Sequence, residues 1–168
     1  MRIGVPKEIR VGEARVALAP EVIGKLVKQG IEVVIEKGAG ALSGFDDAQY
    51  EKVGAKIGVG NVISDSDIVA SVTALTPEQM KSLKKGAITV SFLSPTTQSD
   101  SIDAAANAGI TSFSMELIPR ISRAQSMDAL TSQALCAGYR AALVAAELDR
   151  KSTRLNSSHE WISRMPSS

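Results

Sequence analysis

The chain has 168 residues, 44% of them hydrophobic, and its 19 basic and 18 acidic side chains give a net charge of +1. This length allows one domain with its own hydrophobic core, and the near-neutral charge argues against a nucleic-acid-binding surface. The single cysteine, Cys136, excludes an internal disulfide framework and is typical of a reducing compartment. No apolar run reaches the ~20 residues that span a bilayer, so we expect no direct membrane insertion by this segment.

The composition changes abruptly after the apolar stretch that ends at Leu148. Codons for residues 149–168 can be those of a sequencing-library adapter, so we predict a disordered artefact here, with a polar natural tail as the alternative. Without this segment, which carries four basic and two acidic residues, the net charge becomes −1, and the only histidine and tryptophan, His159 and Trp161, are lost. We therefore expect no histidine-dependent catalytic site and no metal site.

Short runs rich in valine and isoleucine alternate with amphipathic segments along the chain. This pattern is typical of a parallel sheet that is covered by helices on both faces, so we predict an α/β, Rossmann-like fold. The predicted strands are Arg2–Val5, 31–35, 68–72, 88–93 and 111–115.

The predicted helices carry start and stop signals. Residues 20–28 place their apolar side chains on one face and end before Gly30. Thr76 and Gln79 have the side chains of a capping box, and a proline follows Thr76. On the last helix we expect Cys136 to be buried as a small hydrophobe. The two remaining helices are predicted at 100–108 and 126–148.

The glycine-rich run 38–44 follows a strand and precedes a polar helical stretch, which is the setting of a dinucleotide-binding loop. Its spacing is one residue too long for G-x-G-x-x-G. In addition, the carboxylates of Asp46 and Asp47 follow at the position where a phosphate would bind. We therefore interpret the run as a structural turn. Gly58 and Gly60 are interpreted as part of a loop.

A charged loop, residues 6–20, connects the first strand to the first helix and contains Glu8, Glu13 and Arg15. These side chains can form a salt-bridged surface loop, or they can hold an anionic ligand at the end of the strand. The residues alone favour the salt-bridged loop, because clusters of mixed sign usually neutralise each other at a surface.

A second polar run, MELIPRISRAQSMD from residue 115, lies between the last strand and the last helix and contains Arg120, Gln125 and Asp128. On a strand-to-helix connection, such groups can face a ligand. The alternative is ordinary helix capping, in which Ser122 and Gln125 form an S-x-x-Q box and Asp128 favours the positive end of the helix. The residues alone are compatible with both interpretations.

This run and the opening loop resemble the family of alanine dehydrogenases and proton-translocating NAD(P) transhydrogenase alpha subunits, and the resemblance covers residues 1–148. It implies that Arg120, Gln125 and Asp128 lie beside the nicotinamide of the cofactor. Hydride transfer needs alignment of donor and acceptor carbons and no protein acid or base, so a loop that positions without titrating suits it.

In the alanine dehydrogenase branch, the arginine at the place of Arg15 holds the pyruvate carboxylate, helped by a lysine and a histidine on later strands. This chain has Ser71 and Ser94 at those two places, so Arg15, Ser71 and Ser94 form a candidate ancestral substrate pocket that lacks its cation and its acid/base group. The transhydrogenase branch is therefore favoured. An alanine dehydrogenase-like amino-acid dehydrogenase and a non-catalytic α/β binding module are the alternatives.

The transhydrogenase resemblance implies an enzyme that transfers hydride between NAD(H) and NADP(H), coupled to proton translocation. It implies an N-terminal domain at 1–125, the start of a long inter-domain helix at 126–148, and truncation before a second, NAD-binding domain. We therefore expect this fragment to be inactive and to bind no NAD tightly. The implied partners are the beta subunit with its NADP-binding domain and a second alpha subunit, at the cytoplasmic face of the inner membrane.

Overall fold

A computed structural model of the chain describes residues 1–149. From residue 150 onward, the predictions made for the segment 149–168 lie outside the described residues. By its internal contacts the chain divides into two units, Met1–Met127 and a second one that begins at Asp128. The first unit contains the sheet, and the described part of the second is one long helix.

All strands of the first unit join one parallel sheet, in the order β3-β2-β1-β4-β5-β6. The first three strands extend the sheet on one side and the next three on the other, so the strand order reverses between β1 and β4. The Rossmann-like α/β fold predicted from the sequence is confirmed. The strands are β1 (Arg2–Val5), β2 (Glu32–Glu36), β3 (Lys56–Gly58), β4 (Ile68–Thr73), β5 (Ile88–Phe92) and β6 (Thr111–Ser114).

The five predicted strands are present, with ends that differ from the prediction by at most one residue. The edge strand β3 is the exception, because Gly58 was interpreted as part of a loop and instead ends this strand. β3 has three residues, and its one large apolar side chain is Ile57, which is the register partner of Ile35. A run so short gives no recognisable periodicity, so the pairing with β2 defines the strand.

In the described part of the chain, five α-helices flank or follow the sheet. Pro20 is the first residue of α1, as the fixed φ of proline allows. The capping box at the start of α3 is confirmed, since the Thr76 N–H donates to Gln79 at 2.9 Å and the Gln79 N–H donates to Thr76 at 3.3 Å. The helices are α1 (Pro20–Lys28), α2 (Asp47–Lys52), α3 (Pro77–Lys81), α4 (Ser99–Asn107) and α5 (Ala129–Asp149).

The hydrophobic core lies on both faces of the sheet. Along β2, Val33 and Ile35 pack with α1 and α2 on one face, while Val34 packs with α3 and α4 on the other. Ile23 of α1 and Met80 of α3 are fully buried, and each such side chain stabilises the fold by roughly 1.5–3 kcal/mol. Burial on both faces explains why β2 has three consecutive apolar residues rather than an alternating pattern.

The side chains of α5 are mostly exposed, and those of Cys136, Leu135 and Tyr139 are among them. Our expectation that Cys136 is buried is therefore wrong. The reason is that α5 is alanine-rich and has no single apolar stripe that would direct one face into a core. Within residues 1–149, no helix is both long enough and apolar enough to cross a membrane.

The backbone at Gly40 passes too close to the core for any side chain. A Cβ atom at this position would lie 2.7 Å from the ring of Tyr50, which is fully buried. We expect Gly40→Ala to lower the free energy of unfolding by about 1–3 kcal/mol, because the buried ring has no room to move aside. Urea denaturation of the variant and the wild type measures this difference.

Gly24→Ala in α1 is the matched control, because a Cβ atom there would meet Val53 at an ordinary 3.6 Å. Alanine is also the better helix former, so this variant should be neutral or up to about 1 kcal/mol more stable than the wild type. Equal stability of Gly40→Ala and the wild type would contradict the close approach at Tyr50.

Candidate functional site at the reversal of strand order

The carboxyl ends of β1 and β4 lie side by side where the strand order reverses. In open α/β sheets, the crevice at such a point is the usual place for a ligand. The loop of residues 6–19 leaves β1 here and carries Glu8, Glu13 and Arg15. The contacts of these three side chains therefore decide what the crevice can bind.

Glu8 binds the backbone at the end of β4. One carboxylate oxygen accepts the Val72 N–H at 2.6 Å, and the other accepts the Thr73 N–H at 3.1 Å and the Thr73 hydroxyl at 2.5 Å. Hydrogen bonds to a charged acceptor are roughly twice as strong as neutral ones. Glu8 thus anchors the loop to the sheet, a role that the charge pattern of the sequence did not reveal.

Glu13 and Arg15 form the salt-bridged loop that the charge pattern favoured. The Arg15 Nε donates to Glu13 at 2.7 Å, a terminal guanidinium nitrogen donates at 2.6 Å, and the Arg15 backbone N–H donates at 3.0 Å. Chiefly because of the side-chain hydrogen bonds from Arg15, the pKa of Glu13 falls to about 2. The guanidinium also lies 5.9 Å from the centre of the Phe92 ring, at the end of β5.

Ser71 and Ser94 lie at the carboxyl ends of the neighbouring strands β4 and β5. The Ser71 hydroxyl donates to the Thr73 carbonyl at 2.8 Å, and Ser71 is buried. Ser94 has a φ of 48°, and its carbonyl oxygen accepts the Thr97 N–H at 2.9 Å, which turns the chain after β5. Both serines of the candidate ancestral pocket thus lie at the carboxyl edge of the sheet. Each makes a hydrogen bond to a residue two or three positions later in the chain.

Glu116 binds the end of β5 as Glu8 binds the end of β4. It accepts the backbone N–H groups of Leu93, at 3.2 Å, and of Ser94. Burial alone would raise the pKa of Glu116, but the hydrogen bonds that its carboxylate accepts outweigh burial and leave this pKa below its ordinary value. Glu116 was not among the predicted site residues, although a carboxylate directly after a predicted strand was a usable signal.

The predicted cofactor-binding side chains of Arg120 and Gln125 are exposed on the segment that follows β6. Gln125 lies in a 3-10 helix, Ser122–Met127. Within residues 1–149, neither the Arg120 side chain nor the Gln125 side chain makes a hydrogen bond or an ion pair, so both side chains can meet a ligand without first losing a partner.

The predicted S-x-x-Q capping box at Ser122 is not the start of the last helix. α5 begins at Ala129, and its cap is Asp128, whose carboxylate accepts the Thr131 N–H at 2.9 Å and the Thr131 hydroxyl at 2.5 Å. A carboxylate at the positive end of the helix dipole is favourable, and Asp128 therefore has the capping role that the sequence suggested for it.

The glycine-rich run is the structural turn that we expected. The Gly38 N–H donates to the Asp47 carboxylate at 2.8 Å, and Asp46 caps α2 by accepting the Gln49 N–H at 2.8 Å. The Gly38 N–H that would face a phosphate in a dinucleotide-binding loop is thus already bound to an acid.

An apolar groove of about 550 Å³ lies between α4 and β6 and extends to the segment after β6. Its wall has three exposed apolar side chains, Ile102, Phe113 and Leu117, and Ile118 and Pro119 line its end. These last two residues immediately precede Arg120, so the groove borders the predicted cofactor segment.

Residues 4–137 match the family described as "Alanine dehydrogenase/PNT, N-terminal domain". The chain belongs to this family. It is 43% identical to an NAD(P) transhydrogenase alpha-subunit polypeptide of Rickettsia prowazekii, over 86% of this chain and 39% of the relative. The solved structure of a transhydrogenase from Sinorhizobium meliloti superposes with a TM-score of 0.84 at 39% identity, and the match covers 88% of this chain and 44% of that one.

The identity to the alanine dehydrogenase of Bacillus subtilis is lower, 33% over 90% of this chain and 39% of the relative. The resemblance stated from the sequence is confirmed, and similarity is greater on the transhydrogenase side of the family. The chain spans 39% of the length of either curated relative.

The ion pair between Glu13 and Arg15 makes stability depend on pH. The pKa of Glu13 is about 2 in the fold against an ordinary value of 4.5, so the folded protein binds this proton more weakly than the unfolded chain does. The stabilisation is therefore present above about pH 4.5 and is lost as the pH falls towards 2. We expect Glu13→Gln to lower the free energy of unfolding by about 1–2 kcal/mol at pH 7 and by less at each step below pH 4.5.

Glu21→Gln is the control for this pH series, because the Glu21 carboxylate is exposed and meets Lys25 at only 3.4 Å. Such a surface pair contributes little, so its loss should leave the unfolding curve unchanged. A difference between Glu13→Gln and the wild type that stayed constant from pH 7 to pH 2.5 would contradict the assignment.

Proposed function

We propose that the chain is the N-terminal domain of the alpha subunit of a proton-translocating NAD(P) transhydrogenase. Its role in the reaction is to position the nicotinamide during hydride transfer between NAD(H) and NADP(H). The observation that carries the proposal is the similarity to transhydrogenase alpha subunits, which reaches 43% identity against 33% for alanine dehydrogenase.

The state of the ancestral pocket argues against the amino-acid dehydrogenase alternative. Two nitrogens of the Arg15 guanidinium donate to the two carboxylate oxygens of Glu13, and the Ser71 hydroxyl donates to a backbone carbonyl. Neither Ser71 nor Ser94 offers a positive charge or a group that titrates near neutral pH. Oxidation of an amino acid requires proton transfer, which this set of side chains does not provide.

The segment after β6 has the chemistry that positioning requires. The Gln125 amide donates and accepts hydrogen bonds, so it can orient a carboxamide, and the Arg120 guanidinium offers a fork of donors. Asp128 is held at the start of α5 by its hydrogen bonds to Thr131, and it adds a carboxylate to this segment. The apolar groove that ends at Pro119 offers a wall on which a flat ring can pack.

The remaining elements of this proposal concern the complete enzyme. Residues 1–125 form the N-terminal domain, and the helix within 126–148 leads to a second domain that binds NAD(H). A beta subunit supplies the NADP-binding domain, a second alpha subunit completes a dimer, and the assembly lies at the cytoplasmic face of the inner membrane. Proton translocation takes place in membrane segments outside this chain.

The chain alone should not bind NADH tightly, because the Gly38 N–H that would meet a phosphate is bound to Asp47. We expect isothermal titration of the purified chain with NADH to show no saturable binding at micromolar concentrations. A micromolar Kd would contradict the division of roles between the two domains.

The positioning role of Gln125 is testable in a chimera that joins residues 1–148 to the remainder of the Rickettsia prowazekii polypeptide. With the partner subunit added, we expect Gln125→Ala to slow hydride transfer from NADH to an NADP analogue by about 10–100-fold, since small misplacements of reacting groups cost this much. The KM for NADH should change much less. Gln49→Ala, which removes an exposed amide from α2, is the control and should leave the rate unchanged.

Asp128 needs a separate design, because its carboxylate also caps α5. Asn can accept the Thr131 N–H as Asp does, so Asp128→Asn keeps the cap and removes the charge, whereas Asp128→Ala removes both. Slower transfer in the chimera with Asp128→Asn, at unchanged helix content, is the expected result. A hydride-transfer rate equal to that of the wild type in Asp128→Asn would show that Asp128 acts only as a helix cap.

A further inference from the structure

We propose that Glu116 is a positioning residue for hydride transfer, because it fixes the segment after β6, which carries Arg120 and Gln125, to the end of β5. The inference rests on the function proposed above and adds a residue that acts through others. The Glu116 carboxylate accepts the Leu93 N–H at 3.2 Å and also the Ser94 N–H. These hydrogen bonds join parts of the chain that are 23 and 22 residues apart in sequence.

Both parts of the chain that Glu116 joins also line the apolar groove between α4 and β6. Leu93 and Pro95 follow β5, and residues 117–119 belong to the segment after β6. The distance between these two parts of the groove lining therefore depends on the Glu116 carboxylate. A flat ring that packs in the groove is then held in a fixed place relative to Arg120, which is the next residue of the segment.

The chain between Glu116 and Gln125 has little freedom to absorb a displacement. The ring of Pro119 fixes its own φ. Two tight turns follow, in which the Ile121 N–H donates to the Pro119 carbonyl at 2.9 Å and the Ala124 N–H donates to the Ile121 carbonyl at 2.9 Å. Ala124 is buried, so the backbone next to Gln125 is packed against the domain. A displacement at Glu116 is therefore passed along the segment instead of being absorbed within it.

Glu116→Gln is the variant that tests this contact with the least change in shape. The two carboxylate oxygens of Glu116 each accept one backbone N–H, whereas a glutamine amide has one acceptor oxygen and an NH₂ group that is a donor. The variant therefore loses one hydrogen bond and its charge. Glu8→Gln is the matched control, because Glu8 accepts two backbone N–H groups at the end of β4 in the same way and has no contact with the segment after β6.

Hydrogen–deuterium exchange of the full chain measures whether Glu116 holds the segment. We expect Glu116→Gln to speed exchange in peptides that cover residues 118–127 by about 10-fold, since the loss of a hydrogen bond to a charged group makes local opening easier. Glu8→Gln should speed exchange at residues 71–74 and leave 118–127 unchanged. Exchange at 118–127 that is the same in Glu116→Gln and the wild type would overturn the proposal.

Hydride transfer in the chimera separates positioning from a general structural role. With the partner subunit added, Glu116→Gln should lower kcat by about 10-fold and change the KM for NADH much less, while Glu8→Gln keeps the wild-type rate. Glu116→Gln combined with Gln125→Ala should be little slower than Gln125→Ala alone, because residues that act through one another have non-additive effects. If the two effects multiply in full, or if Glu8→Gln slows transfer as much as Glu116→Gln, the proposal is overturned.

The same measurements distinguish a failure of this inference from a failure of the proposed function. If Gln125→Ala slows transfer and Glu116→Gln does not, only the role of Glu116 is wrong. If neither variant slows transfer, the proposed function is wrong and the positioning role is wrong with it. If Glu116→Gln does not fold, Glu116→Asp replaces it, because aspartate keeps the charge and is one methylene shorter. The same changes in exchange and in kcat are then expected, and their absence would overturn the proposal.

Discussion

The backbone N–H groups at the carboxyl ends of β4 and β5 set the main constraint on this domain. Leaving such a group without an acceptor inside a fold costs roughly 1–3 kcal/mol. The chain supplies carboxylates from distant segments, Glu8 for β4 and Glu116 for β5. These two contacts fix the loop after β1 and the segment after β6 on the sheet, so the same interaction completes the strands and places the surrounding loops.

This arrangement leaves the crevice at the reversal of strand order occupied by the protein itself. Glu8 holds the end of β4, and Glu13 holds Arg15, so the groups that would bind a small acid already have partners. The exposed side chains of Arg120 and Gln125, in contrast, are available on the segment after β6. We infer that the domain contributes to hydride transfer through that segment, and that its crevice serves as a scaffold.

The fold was predictable where local sequence determines structure. Short runs, most of them rich in valine and isoleucine, identified five of the six described strands, and the capping box at Thr76 identified a helix start. β3 escaped prediction because pairing with β2, rather than its own composition, makes it a strand. The exposure of Cys136 was not predicted, because an alanine-rich helix has no single apolar face that indicates which side chains are buried.

The site was less predictable because its contacts are distant in sequence. Arg15 and Glu13 are two residues apart, and their pairing followed from the charge pattern. Glu8 and Val72 are 64 residues apart, and Glu116 and Ser94 are 22 apart, so only the parallel order of the strands brings them together. Spacing alone does not carry that information. Arg120, Gln125 and Asp128 were predicted from the family resemblance, because no feature of their spacing distinguishes a ligand-binding segment from ordinary helix capping.

Hydrogen–deuterium exchange of the chimera, measured with and without NADH, tests most directly where this domain meets its cofactor. We expect NADH to slow exchange in peptides that cover residues 118–128 and to leave residues 69–75 and 91–97 unchanged, because Glu8 and Glu116 already protect the ends of β4 and β5. Protection at those strand ends, or none at 118–128, would contradict the conclusion that the crevice is a scaffold and the segment after β6 the contact.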